Sequence, residues 1–450
     1  MPKGGPPIIL EQSPLALRPD SIALRSITGG ELRPAISLEC FYNRFLPEGG
    51  STVDAVLTVA PEPGAARGAR SGRGEVIIVD VSGSMEGFKL KEARDATVAA
   101  VDCIAEGVHF GVVAGHETAE QIYPASGLVP CNARTRAEAK RSVGRLKPSG
   151  GTAMGQWLSL AARLLEPVQG SRHAILLTDG KDEHETPEAL GTALTAASGV
   201  FQCDCRGVGT DWSVSELRRV ATALLGSVEI VADPVDLTSD FQGIMRQAMG
   251  RGLADVRLRI WVPRGGQILT FKQVAPELLD LTGNRTHSND LTLDFQTGAW
   301  GEESRDYHLA ARVPPGSVGD EVLAAKVAVI VDGAEMARCL IHAVWTDDRA
   351  ASTRVNRVVA HYTGQEELAD VIHTGLTALN HGDETTAALH LGRAVRMAAE
   401  TGNTSTGELL AAVVHVEDAL TGRVHVKAGV KPADVMTLDT RSTRTARIQK

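Results

Sequence analysis

Residues 75–85, Glu-Val-Ile-Ile-Val-Asp-Val-Ser-Gly-Ser-Met, constrain the fold of this chain more than any other stretch. Val76, Ile77, Ile78 and Val79 are all β-branched and run into Asp80 with no polar position between them. A strand with one wet face would alternate. An unbroken apolar run predicts a strand covered on both faces, as at the centre of a parallel α/β sheet. Ser82 and Ser84 follow, separated by a glycine that permits a tight turn. Apolar residues then recur at helical spacing over residues 90–104. Open α/β sheets bind ligands outside the carboxyl ends of their strands, which makes Asp80, Ser82 and Ser84 a candidate site. Oxygen-only donors at this density suit a hard cation such as Mg²⁺ or Mn²⁺.

The strand–helix rhythm continues to about residue 250. A second buried strand over residues 173–179, His-Ala-Ile-Leu-Leu-Thr-Asp, ends in Asp179 and is followed at once by Gly180. The glycine-hinged loop at residues 148–154 carries Thr152 and leads into a helix over residues 155–165. Further helices over residues 186–197, 213–225 and 236–249 alternate with strands over residues 200–208 and 228–231. This spacing predicts a mostly parallel sheet with helices on both faces.

The flanks differ. Residues 1–73 read as β-rich, with strands over 21–27, 36–42 and 53–59, and residues 61–74 as a flexible basic connector. Period-two alternation returns between residues 255 and 344. The N-terminal strands alone would bury little core, so both flanks are expected to form one antiparallel β-sandwich into which the α/β unit is inserted. Helical spacing follows over residues 353–362, 366–380, 384–401 and 406–420, and residues 436–450 carry no apolar pattern. The expected plan is residues 1–73 and 251–346 for the two parts of the sandwich and 74–250 for the α/β domain. Residues 347–430 would form a helical region and 431–450 a flexible tail.

Three separated pieces, Asp80-x-Ser82-x-Ser84, Thr152 in Ser-Gly-Gly-Thr, and Asp179 in Leu-Leu-Thr-Asp-Gly, occur in this order along the chain. Together they resemble the von Willebrand factor type A (VWA) family, whose metal-ion-dependent adhesion site has the pattern Asp-x-Ser-x-Ser, Thr, Asp. Gly207-Val-Gly-Thr-Asp211 resembles the closing half of that family, and the resemblance covers residues 75–250. It implies a Rossmann-like fold and direct metal ligation by Ser82, Ser84 and Thr152, with Asp80 and Asp179 holding waters and hydroxyls. From the residues alone, either carboxylate could equally bind the metal directly. The resemblance further implies an open metal position for an acidic residue of a protein partner. The multidomain layout resembles that of a stand-alone bacterial member of the family.

The sequence also narrows the function. A net charge of −9 argues against a nucleic-acid partner. No apolar run approaches the length of a membrane span, and no apolar h-region follows the N-terminus. Six cysteines without a Cys-x-x-Cys pair imply no disulfide framework, so a reduced, cytoplasmic protein is expected, with Cys203 and Cys205 as small hydrophobes. No phosphate-binding Gly-x-x-x-x-Gly-Lys loop, Gly-x-Ser-x-Gly elbow or His-Glu-x-x-His helix is present. The expectation is therefore a non-enzymatic, metal-dependent interaction module serving as a scaffold or adaptor in a bacterial stress or assembly system. The alternative is an adaptor for a separate AAA+ ATPase of the MoxR or chelatase type. A metal-dependent phosphoesterase is disfavoured because Ser82 stands where an Asp-x-Asp enzyme would carry its second carboxylate. Residues 181–185 and His116 are expected to rim the site as solvated loops, with Met85 and Met154 packing behind it.

Overall fold

The structure, a computed structural model, describes residues 21–22, 36–65 and 72–447. Across the central sheet the strands run Val228–Val231, Gln202–Val208, Ser171–Thr178, Arg73–Asp80, His109–Gly115 and Ala119–Tyr123. The first five are parallel and the last is antiparallel. Arg73–Asp80 is buried from Gly74 onward, as its unbroken apolar run requires.

Its alternate side chains feed two separate cores. Ile77 and Val79 pack with the helices Phe88–Cys103, Ala133–Val143 and Leu237–Gly250. Val76 and Ile78 pack with Met154–Leu165, Pro187–Ala197 and Val214–Ala223. The chain passes from Arg73–Asp80 to His109–Gly115 on one side and later returns to Ser171–Thr178 on the other. The strand order thus reverses where Asp80 and Asp179 emerge, and a crevice opens at such a point.

Two antiparallel sheets flank this unit, and each draws strands from both sides of it. In one, Ile36–Tyr42 and Thr52–Pro61 join Arg305–Arg312 and Gln267–Ala275. In the other, Ser21–Ile22 and Phe45–Pro47 pair with Ala334–Thr346, which continues into Glu321–Val331, Val256–Trp261 and Thr292–Gln296. Phe45–Pro47 is the exception to the antiparallel rule, since it pairs in parallel. Leu38, Leu57, Phe271, Phe295, Tyr307 and Trp345 share the core between these sheets. Residues 23–27 of the strand expected over 21–27, and residues 66–71 of the expected connector, lie outside the described residues.

Cys40 and Cys339 form a disulfide between the two sheets, 299 positions apart in sequence. This corrects the expectation of uniformly reduced cysteines. Stacking of the sheets, not local spacing, brings the two thiols together. Cys203 and Cys205 are free, fully buried and part of an apolar core, as expected of small hydrophobes.

The C-terminal region departs from its sequence reading in three places. One helix, Arg357–Asn380, replaces the two expected over residues 353–362 and 366–380 and runs unbroken through Gly364, since a lone glycine costs a helix interior only about 1 kcal/mol. The helix Thr404–Val413 stops early, and a hairpin of Val414–Asp418 with Arg423–Val426 follows. The expected mobile tail instead contains the helix Pro432–Arg441, anchored by the fully buried Leu438. That helix docks on the α/β unit through Met436 and an Arg218–Asp439 ion pair of 2.8 Å. Beyond it, Arg447 pairs with Asp306 of the sandwich at 2.7 Å.

Candidate metal centre

Asp80, Ser82, Ser84, Thr152 and Asp179 come from three loops, and the fold brings all five together. Asp80 is fully buried at the strand end, where Oδ1 accepts the Ser82 backbone N–H at 2.7 Å and Oδ2 accepts the Thr178 hydroxyl at 2.5 Å. Burial raises the Asp80 pKa to about 6, even though the bonds from Ser82 and Thr178 act the other way. The Ser82 and Ser84 hydroxyls lie 2.9 Å apart. Ser84 donates its hydroxyl to Asp179 Oδ1 at 2.6 Å, which leaves its lone pairs facing away from Asp179.

The Thr152 loop is tied to these residues through its backbone. Gly83 N–H donates to the Gly150 carbonyl at 3.0 Å, and Ser149 N–H to the Val81 carbonyl at 2.7 Å. Gly150 adopts φ +68°, a left-handed conformation that glycine enters without cost from a Cβ. Thr152 N–H donates to His184 Nδ1 at 3.1 Å, while His184 N–H donates to the Thr152 carbonyl at 3.0 Å. Next to it, Asp182 Oδ1 accepts the Met154 N–H at 3.1 Å and Glu185 accepts the Gly155 N–H. Residues 182, 184 and 185 therefore hold the loop and the first turn of the Met154–Leu165 helix, a structural part beyond the solvated rim expected of them. Burial, reinforced by the neighbouring Glu185, raises the Asp182 pKa.

Whether the donors surround a space of ionic size is tested at Gly180. A Cβ built there would stand 3.0 Å from Thr152 Oγ1, 3.7 Å from Ser84 Oγ and 3.9 Å from Asp80 Oδ2. The glycine thus leaves open a cradle faced by two hydroxyls and a carboxylate, all hard oxygen donors. Among the described residues no group of three or more His, Cys, Asp and Glu could hold a metal, so a softer competing site is not present there. The donor set fits a small divalent cation.

Two further groups join the centre without having been read from the sequence. Thr178 fixes Asp80, as above. Lys89 places its ammonium 2.6 Å from Asp179 Oδ2 and 3.4 Å from Asp211 Oδ2. One signal was available for Lys89, since a cation in the first turn of the Phe88–Cys103 helix opposes the helix dipole and calls for a partner. His116 is a loop residue whose carbonyl accepts the Trp157 indole N–H at 2.7 Å, and Met85 and Met154 are fully buried packing residues. Near these loops, a cleft of about 820 Å³ is lined by Lys181, Trp212, Leu376, Val430 and Met436, joining the α/β unit to the helical region.

A family model described as von Willebrand factor type A domain matches residues 75–230, and one described as von Willebrand factor type A C-terminal domain matches residues 396–442. The solved structure of a von Willebrand factor type A protein from Catenulispora acidiphila is 44% identical, with a TM-score of 0.87 over 94% of this chain and 99% of that one. The chain belongs to the von Willebrand factor type A family. The ArnB paralog VWA2 from Sulfolobus acidocaldarius shares the fold at 14% identity, with a TM-score of 0.58 over 93% of this VWA chain and all of its own. An uncharacterized Synechocystis protein is 26% identical over 46% of this chain and 49% of its own length. Human inter-alpha-trypsin inhibitor heavy chain H4 is 27% identical over 44% of this chain. The VWA chain therefore spans about half of the first of these curated relatives and 20% of the second. Among the described residues no helix is long and apolar enough to cross a membrane.

Proposed function

We propose that this protein is a metal-dependent protein-interaction module in which Ser82, Ser84 and Thr152 hold Mg²⁺ or Mn²⁺ directly. Asp179 orients the Ser84 hydroxyl from behind, and Asp80 holds the turn that carries Ser82 through its backbone N–H. When bound, such an ion supplies an electrophilic position for the carboxylate of an acidic residue on a protein partner. The observation that carries this reading is the cradle beside Gly180, where neutral hydroxyl donors converge with a buried carboxylate. Neutral donors leave the cation's charge largely uncancelled, which favours an anionic ligand over water. Phe88, 55% exposed and four positions after Ser84, and the cleft near Lys181 supply apolar surface for the rest of such a partner.

The role that follows is a scaffold or adaptor, not an enzyme. The sequence carries no Gly-x-x-x-x-Gly-Lys nucleotide-binding loop, and Ser82 stands where an Asp-x-Asp phosphoryl-transfer enzyme would carry its second carboxylate. A net charge of −9 disfavours nucleic acid as the partner. The Cys40–Cys339 bond favours an oxidising compartment over the reduced cytoplasm expected from cysteine spacing.

Affinity capture from lysate with the full chain tests the function, using wild type in Mg²⁺, wild type in EDTA, and Thr152→Ala in Mg²⁺. A partner retained only in the first sample supports the reading. If that partner is an AAA+ ATPase, the adaptor role in such a pair is the right one; any other protein favours a scaffold in a stress or assembly system. The same proteins in all three samples would overturn metal-dependent recognition.

A further inference from the structure

The Lys89 ammonium lies where a helix disfavours it. It occupies the first turn of Phe88–Cys103, whose backbone N–H groups already carry the positive end of the dipole, and Gly87 offers no side-chain cap there. Its side chain is only 27% exposed, so it also gives up much of its hydration. What compensates is Asp179, a fully buried carboxylate with one oxygen taken by the Ser84 hydroxyl and the other by Lys89. Asp80, by contrast, is held by neutral donors, the Ser82 N–H and the Thr178 hydroxyl. Asp211, with a side chain 74% exposed, holds the outer side of the same ammonium.

From this arrangement we propose that Lys89 is a built-in counter-cation that sets the metal affinity of the centre. The inference rests on the metal-binding reading of the five site residues and deepens it. By neutralising Asp179 and standing one carboxylate away from the cradle, Lys89 weakens the pull of the centre on a divalent ion. Loading then depends more strongly on the extra negative charge that an acidic partner brings. Lys89 is a positioning residue, since it acts on the metal through Asp179 and touches none of the cradle hydroxyls.

Mn²⁺ titration of the full chain, followed by calorimetry and by the electron paramagnetic resonance of free Mn²⁺, tests this. Lys89→Met and Lys89→Gln are expected to bind Mn²⁺ more tightly, on the order of tenfold, because one like-charge interaction at a partly buried site is removed. Glutamine keeps a donor for Asp179 without the charge, so it serves if the methionine variant folds poorly. Lys89→Arg should stay close to wild type. Asp211→Asn should move the other way, weakening Mn²⁺ about two- to threefold, since a screened surface charge that partly occupies Lys89 is lost. A general loss of stability would not shift these variants in opposite directions. Equal or weaker Mn²⁺ binding by both Lys89→Met and Lys89→Gln would overturn the role of Lys89 alone. If wild type and Thr152→Ala bind alike, the metal reading itself fails, and with it this inference.

Discussion

Gly180→Ala places a methyl group in the proposed metal cradle without altering any proposed ligand. The Gly180 backbone lies outside the left-handed region, so alanine enters without backbone strain. Its Cβ would meet Thr152 Oγ1 at 3.0 Å and would stand 3.7 Å from Ser84 Oγ and 3.9 Å from Asp80 Oδ2. Non-bonded carbon contacts are most favourable at about 3.5–4.0 Å, so only the Thr152 hydroxyl must yield, by a few tenths of an ångström. Small overpacking of this kind costs about 1 kcal/mol, or roughly 2–4 °C in Tm for a domain of this size. The effect on metal is far larger. Mg²⁺ requires oxygens at about 2.0–2.1 Å, and a carbon already in contact with the donors leaves no room for such a sphere. Mn²⁺ affinity by calorimetry should fall at least about a hundredfold, equivalent to about 2.7 kcal/mol, while the circular dichroism spectrum and Tm stay near wild type. Wild-type affinity in a folded Gly180→Ala protein would refute the location of the cradle.

Three other outcomes follow from different parts of the molecule. Burial acts to lower the His173 pKa, but Glu75 at 2.9 Å and Asp204 at 2.8 Å on its two ring nitrogens raise it to about 9, above the ordinary 6.5. Its stabilisation is therefore complete below pH 6.5 and lost as pH rises through 9. Urea unfolding across that window should show a decline of about 3 kcal/mol from this group, and His173→Gln should flatten the slope; His308, raised to about 9 between Asp54 and Glu366, keeps a remainder of the same sign. Cys339→Ser should lower stability by about 2–4 kcal/mol under oxidising conditions and by little in excess reductant, and an unchanged melting curve in the absence of reductant would count against the cross-link. Leu438→Ala, at a fully buried position of the last helix, should cost about 2–4 kcal/mol; a neutral result would restore the flexible tail.

The sequence made the centre of this molecule readable because its signals are local. Val76 to Val79 show burial on both faces by their lack of alternation, and each of the three motif pieces sits directly after a strand or in a glycine-hinged loop. What escaped reading is set by distant partners. Cys40 and Cys339 are joined only after two sheets stack, and His173 meets Glu75 and Asp204 only through the register of neighbouring strands. Val414 and Val416 alternate with His415 and Glu417, but four residues are too few to separate a hairpin strand from the end of the preceding helix. The helix Pro432–Arg441 is short and divides its apolar side chains between two cores, and its position depends on Leu438 and on the Arg218–Asp439 pair, neither of which has a sequence signature. Lys89 shares the first turn of its helix with Lys91, so its unfavourable place on the dipole did not single it out until Asp179 and Asp211 were brought beside it.

The most direct measurement of the central claim is an anomalous difference map from crystals of the full chain grown with Mn²⁺. The expected result is one strong peak at bonding distance, about 2 Å, from the hydroxyls of Ser82, Ser84 and Thr152, with Asp80 and Asp179 behind them and one coordination position open to solvent or filled by a carboxylate from a neighbouring molecule. A map without a peak at these hydroxyls, or with Mn²⁺ bound only elsewhere on the surface, would contradict it.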